Sequence, residues 1–223
     1  LTPGVDLDSL RPDTYGKRIT ASALPALLSA IDRLQSTGIL AGLLNLQQIV
    51  LGGHSAGGRV AIESANPKFV PQIAAAFAYG AHTAAVVQLG FPPATILPLP
   101  DALPLLLIGG TCDGVIAQSG QLYGVSWEQP TTPILRTFRE AIAGGSDAYL
   151  LLIEGANHYC ISHPLDETTR RSIDFPATQP EAQQREVLAE AIGRFIDAQV
   201  RQQSDTLELL AAHNPLIARF ERK

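Results

Sequence analysis

Residues 48–62, Gln-Ile-Val-Leu-Gly-Gly-His-Ser-Ala-Gly-Gly-Arg-Val-Ala-Ile, set Gly53-His54-Ser55-Ala56-Gly57 between a short apolar run and an apolar pattern of helical period. A strand that turns this abruptly into a helix points to an α/β chain, because such a helix packs back onto a parallel sheet. The glycines follow from the turn. Gly53 and Gly57 are expected where a Cβ would strike the neighbouring strand or helix, and Ser55 at the apex is expected to hold an uncommon, strained backbone conformation. A serine held this way stands off the end of the sheet, open to a base. The helix that begins there offers its dipole and the free N–H of Ala56 to a carbonyl oxygen that becomes negative. The competing reading is a glycine-rich strand-to-helix turn around a buried serine.

A nucleophilic serine needs a histidine base and an acid to orient it, in the chain order serine, acid, histidine for this kind of turn. Residues 103–108, Leu-Pro-Leu-Leu-Leu-Ile, end in Gly109-Gly110 and read as a central strand buried on both faces, with Asp113 just beyond its carboxyl end. Residues 148–153, Ala-Tyr-Leu-Leu-Leu-Ile, read the same way and lead into Glu154-Gly155-Ala156-Asn157-His158-Tyr159. Sites in open α/β sheets lie at the carboxyl ends of the strands. Three strand ends therefore bring Ser55, Asp113 and His158 to one rim. Glu154 competes with Asp113 for the role of acid, but a residue four before His158 would have to fold back sharply to reach the imidazole.

At this point the chain resembles the α/β-hydrolase family, from about residue 22 to residue 200. The turn Gly53-His54-Ser55-Ala56-Gly57-Gly58 and the loop Gly155-Ala156-Asn157-His158-Tyr159 look most like the compact esterases grouped with dienelactone hydrolases, chlorophyllases and cutinase-like polyester-cleaving enzymes. Dienelactone hydrolases proper carry a cysteine nucleophile, whereas this chain has Ser55, so that specific activity is not implied. The resemblance implies an α/β-hydrolase fold, a mostly parallel sheet flanked by helices, in one domain over residues 1–223. It implies a serine esterase acting on a small-molecule ester without a cofactor, with Ser55 as nucleophile, His158 as base, Asp113 as acid and Ala56 in the oxyanion hole. The alternative is a hydrolase-fold protein that binds a ligand or partner without chemistry, although a pure binder has no reason to keep a complete triad.

The other histidines have readings of their own. His54 is the variable position of the turn and packs behind the nucleophile or lines the pocket. His82 follows residues 73–79, an expected strand between those of Ser55 and Asp113, so it is a candidate for the pocket wall. His163 and His213 read as surface residues. No two histidines have helical ligand spacing and no Cys or carboxylate cluster joins them, which argues against a metal site. Cys112 and Cys160 flank the proposed acid and base; the favoured reading is two buried thiols, the other a disulfide tying the two loops together. Residues 83–100 and 115–129 read as long irregular stretches leaving the active rim, the second holding Tyr123 and the single tryptophan, Trp127. They are candidate pocket walls around an open apolar cleft suited to bulky or hydrophobic esters, with plain surface covering as the alternative.

With 223 residues, 46% hydrophobic content and a formal net charge of −5, the chain has the material for one ordinary domain with an ample core. Its acidity and lack of a basic stripe argue against nucleic acid. The apolar runs are strand-sized, short of a membrane span. Residues 22–35 form an amphipathic helical pattern with Leu24, Leu27, Leu28, Ile31 and Leu34 on one face, Ser22 as N-cap and Gly38 as stop. Residues 1–54 thus have no room for the early strands of a complete hydrolase sheet, and the chain starts with Leu and contains no Met. The expectation is an amino-terminally incomplete chain with an uncovered sheet edge. Helical patterns are also expected over 133–143, ending at Gly144-Gly145, and over 181–202, and a last amphipathic piece over 206–220, broken at Asn214-Pro215.

Overall fold

Apolar runs bounded by glycine, proline or aspartate become the strands of one sheet. The computed structural model describes residues 4–164 and 173–223. The strands are β1 (Ile49–His54), β2 (Ile73–Tyr79), β3 (Leu105–Gly110), β4 (Ala148–Ile153) and β5 (Ile217–Arg222), in the spatial order β1-β2-β3-β4-β5. Neighbours from β1 to β4 pair in parallel, and β5 pairs antiparallel with β4. The architecture is α/β, a mostly parallel sheet flanked by helices. Every residue of β3 and β4 is buried, as expected for central strands covered on both faces.

The two faces sort by the two-residue side-chain period of a strand. Leu105, Leu107, Leu150 and Leu152 point to one core, which takes Ile62 from α2 (Ser55–Ser64) and Ile134 from α4 (Thr132–Arg136). Leu106, Ile108, Tyr149 and Leu151 point to the other, which takes Leu188 and Phe195 from α5 (Glu181–Gln199) and Leu207 and Leu210 from α6 (Leu207–His213). A short α3 (Gly114–Gln118) continues as a 3-10 turn over Ser119–Tyr123.

The expected helix at 22–35 is α1 (Leu24–Ser36), followed by Gly38 at φ +92°. Its N-cap is Ala23 without a side-chain bond, not Ser22. Only Leu24 and Leu28 of the expected apolar face pack on the core, while Leu27 and Leu34 are 56% and 49% exposed. The reason is position. Leu24 and Leu28 are the stripe positions that reach the core, Leu28 beside an open cavity of about 400 Å³ that Pro25, Ile49 and Phe69 also line. Among the described residues no strand precedes β1, which is an edge strand.

Three further expectations need correction. The helix at 133–143 is α4 continuing into a single π-type turn, Thr137–Ala141, and stops at extended Ile142. Residues 115–129 are irregular only from 124 onward, because α3 and the 3-10 turn occupy 114–123. The piece after Asn214-Pro215 is a strand, β5. Its Ile217 and Phe220 pack on the α5 side of the sheet, and exposed Arg219 and Arg222 put charge on the edge, which blunts it against further pairing. Pairing with β4 overrode the helical conformation that periodicity in the sequence implies.

Candidate active site

β1 ends at His54 in an extended conformation, φ −115° and ψ 140°, and α2 starts with Ser55 at φ +55°. Left-handed backbone in a serine is strained and persists only where the surroundings impose it. The imposing contact is the close approach of strand end and helix start. A Cβ on Gly53 would lie 2.4 Å from the Gly57 carbonyl oxygen, and one on Gly58 would lie 2.8 Å from the Gly53 oxygen and 3.0 Å from the Ala81 Cβ. The expectation for Gly57 fails. A Cβ there meets nothing within 4 Å; the second crowded position is Gly58, because the helix turns that residue, not its neighbour, toward the sheet. Ala56 is exposed in the first turn of α2, where backbone N–H groups have no partner within the helix.

Asp113 follows β3 and has two tasks. Its Oδ1 accepts the Ile116 N–H at 2.9 Å, capping α3, and its Oδ2 lies 2.8 Å from His158 Nδ1. Both side chains of that pair are buried, 2% exposed for His158 and 3% for Asp113. A cap that also faces an imidazole is fixed in rotamer by the first bond and aimed by the second. Glu154 is exposed and makes no bond to the imidazole.

The residue before Ser55 packs against the pair. The His54 ring is 4.5 Å from the His158 ring, 5.8 Å from Tyr79 and 6.1 Å from Tyr159. His54 thus packs against the imidazole. Burial, followed by the charge of His158, pushes its pKa down, so it stays neutral near neutral pH. No hydrogen bond joins the Ser55 hydroxyl to His158; nucleophile–base bonds commonly tighten only in the substrate complex.

Tyr123, Trp127 and His82, named separately as pocket-wall candidates, meet each other. The His82 ring is 4.8 Å from Tyr123 and 6.0 Å from Trp127, both edge-on. His82 is buried, and its Nδ1 accepts the Ala84 N–H at 3.2 Å. Burial first, then the charges of Arg59 and His158, push it down to about 3. With Gly80, Asp113 and Ile116 it borders a cavity of about 10 Å³, the space of a single water. His163 and His213 are exposed.

Several contributors carried little signal in the sequence. Gly80, at φ +60° after β2, underlies the pair: a Cβ there would lie 3.1 Å from His158 Nδ1 and 3.2 Å from Asp113 Oδ2. Asp174 accepts the Gly114 N–H at 2.8 Å and the Phe175 N–H at 3.0 Å, holding the Asp113 loop from above. Its carboxyl is pushed up, by burial first and by the charge of Asp113 after partial relief from the Gly114 amide. One turn beyond Ser55, Arg59 donates to Glu63 Oε1 at 2.9 Å and to the Ala84 carbonyl at 2.6 Å. A glycine directly after a strand is the one local hint of Gly80; the others are products of long-range contact.

Cys112 and Cys160 are free thiols, the second buried and the first half-buried. Cys160 Sγ faces Tyr79 at 2.9 Å and Cys112 Sγ faces Thr178 at 3.9 Å. Among the described residues no group of three or more His, Cys, Asp or Glu side chains is arranged to hold a metal ion, and no helix is long and apolar enough to cross a membrane. In comparisons with known proteins, no family model matches the chain and no curated protein does.

Proposed function

We propose that the chain is a serine hydrolase of the α/β-hydrolase type that cleaves carboxylic esters. The observation that carries this reading is a buried His158–Asp113 pair, 2.8 Å apart, at the sheet edge where Ser55 holds φ +55° between strand and helix. Stored strain and a buried imidazole–carboxylate bond occurring together are what nucleophilic catalysis requires, and neither is needed for a plain strand-to-helix turn.

The chemistry follows from the atoms present. Asp113 Oδ2 accepts the Nδ1 proton of His158 and so leaves Nε2 as the basic nitrogen. Nε2 takes the hydroxyl proton as Ser55 Oγ bonds to the ester carbonyl carbon, and the Ala56 N–H donates to the oxygen that becomes negative. Collapse breaks the carbon–alkoxide bond, and the imidazolium returns the proton to the departing alcohol. Water repeats the sequence on the acyl-enzyme, releasing the acid and free Ser55.

Ser55→Ala should lower hydrolysis of a short-chain p-nitrophenyl ester by about 10⁴-fold or more, with an unchanged circular dichroism spectrum. A fluorophosphonate should label Ser55 in the parent protein. Hydrolysis near the parental rate in the variant overturns the reading. Absence of labelling on the folded parent favours the alternative, a hydrolase-fold protein that binds without chemistry.

A further inference from the structure

Tyr79 closes β2 and is fully buried, separated by β3 from the strand whose following loop carries His158. Its hydroxyl crosses the end of β3 to reach that loop. It donates to the Asn157 carbonyl oxygen and lies 2.9 Å from Cys160 Sγ. A phenol has one proton. With that proton on the carbonyl, the thiol must be the donor to the phenol oxygen. Burial pushes the Cys160 thiol up to about 11 and the Tyr79 phenol well above its ordinary value. Both groups therefore keep their protons near neutral pH, and the chain from Cys160 S–H through Tyr79 O–H to the Asn157 carbonyl is complete.

Asn157 and Cys160 bracket His158 and Tyr159, so one hydroxyl holds both ends of the turn that presents the imidazole. The Tyr79 ring also lies 5.8 Å from His54, whose own ring lies 4.5 Å from His158. The loop and the ring backing the imidazole thus share one support. Removing that support leaves the buried Cys160 thiol without a partner and the Asn157 carbonyl with only the long 3.5 Å bond from the Cys160 N–H, and the loop can recover what is lost only by moving. Movement of the loop carries His158 off Asp113.

We propose that Tyr79 is a positioning residue for His158, its hydroxyl fixing the loop so that Nδ1 stays on Asp113. The catalytic consequence rests on the serine-hydrolase reading; the effect on the imidazole does not. Tyr79→Phe in the full chain keeps the ring and deletes the bond. Ring ¹⁵N shifts of His158, assigned by their loss in His158→Ala, report its tautomer at pH 8. The parent is expected in the Nδ1–H form, and Tyr79→Phe is expected to drift toward the Nε2–H form. Cys160→Ala should shift it less, in the same direction, and serves if Tyr79→Phe does not fold. Turnover of p-nitrophenyl acetate per folded molecule should fall by roughly 10- to 100-fold in kcat with KM nearly unchanged. An unchanged tautomer in the folded variant, whatever happens to its melting temperature, overturns the proposal and leaves Tyr79 a structural residue. If the parent itself neither turns over ester nor takes a fluorophosphonate, the hydrolase reading fails while the tautomer still decides the role of Tyr79.

Discussion

A Cβ on Gly53 would press to 2.4 Å from the Gly57 carbonyl oxygen, whereas one on Gly57 would meet nothing within 4 Å. Backbone cannot retreat as a flexible side chain can, so Gly53→Ala should destabilise the fold by about 1–3 kcal/mol or more. Gly57→Ala, in helical backbone, should be neutral or add about 0.5–1 kcal/mol. Urea denaturation of the pair decides this, and equal losses in both would refute the crowding argument. At His82 the expected effect is on pH dependence. Its pKa is pushed from 6.5 down to about 3 in the folded chain, by burial first and then by Arg59 and His158. The unfolded chain therefore takes up the proton first on acidification, so stability is whole above about pH 6.5 and is lost progressively toward pH 3. The raised carboxyls of Glu63 and Asp174 act with the opposite sign, in parent and variant alike. His82→Asn, which keeps an acceptor for the Ala84 N–H, should flatten the fall in melting temperature between pH 7 and pH 4. Identical slopes in the two proteins would show that His82 titrates normally.

β3 and β4 are continuous apolar segments buried on both faces, and the parallel strands owe their place to that double covering. Leu107 is fully buried in the α2 and α4 core. Leu107→Ala should cost about 2–5 kcal/mol in chemical denaturation, transfer free energy plus the cavity left behind. A loss under about 1 kcal/mol would mean that the core there repacks freely. The periodic stripe of α5 was readable in advance: Val187, Leu188 and Phe195 are buried, and Ile192 and Ile196 pack half-buried against the same core. The stripe of α1 was equally readable, yet Leu27 and Leu34 are largely exposed, because periodicity states which residues share a face and not whether a partner lies opposite. β5 shows the converse. Nothing local distinguishes Ile217–Arg222 from a frayed amphipathic helix; the free edge of β4 does. Arg222, 3.0 Å from Asp147 and 3.2 Å from Asp205, then ties the strand down.

Across the molecule, the residues proposed for chemistry gather where β1, β3 and β4 end, while the cavity of about 400 Å³ opens at the opposite end of β1, around Ile49 and Phe69. The sheet separates the two. Ser55, Asp113 and His158 could be picked out from the chain alone because each follows a strand-sized apolar run, and a parallel strand must deliver its carboxyl end to the same edge as its neighbours. The turn at Ser55 was legible for a local reason as well, since strain between a strand and the next helix admits few residues. The sequence by itself thus determined the four parallel strands, the crowded turn and the edge to which the three polar residues come, but not β5. Only the tertiary structure decided that Gly58 and not Gly57 is the second crowded glycine, and that His54 backs the imidazole while His82 joins Tyr123 and Trp127. The same holds for Gly80 and Tyr79, which support a histidine almost eighty positions away in the chain. Steric rules between adjacent residues are written in adjacent letters, whereas contacts made by packing depend on where the whole sheet carries each side chain.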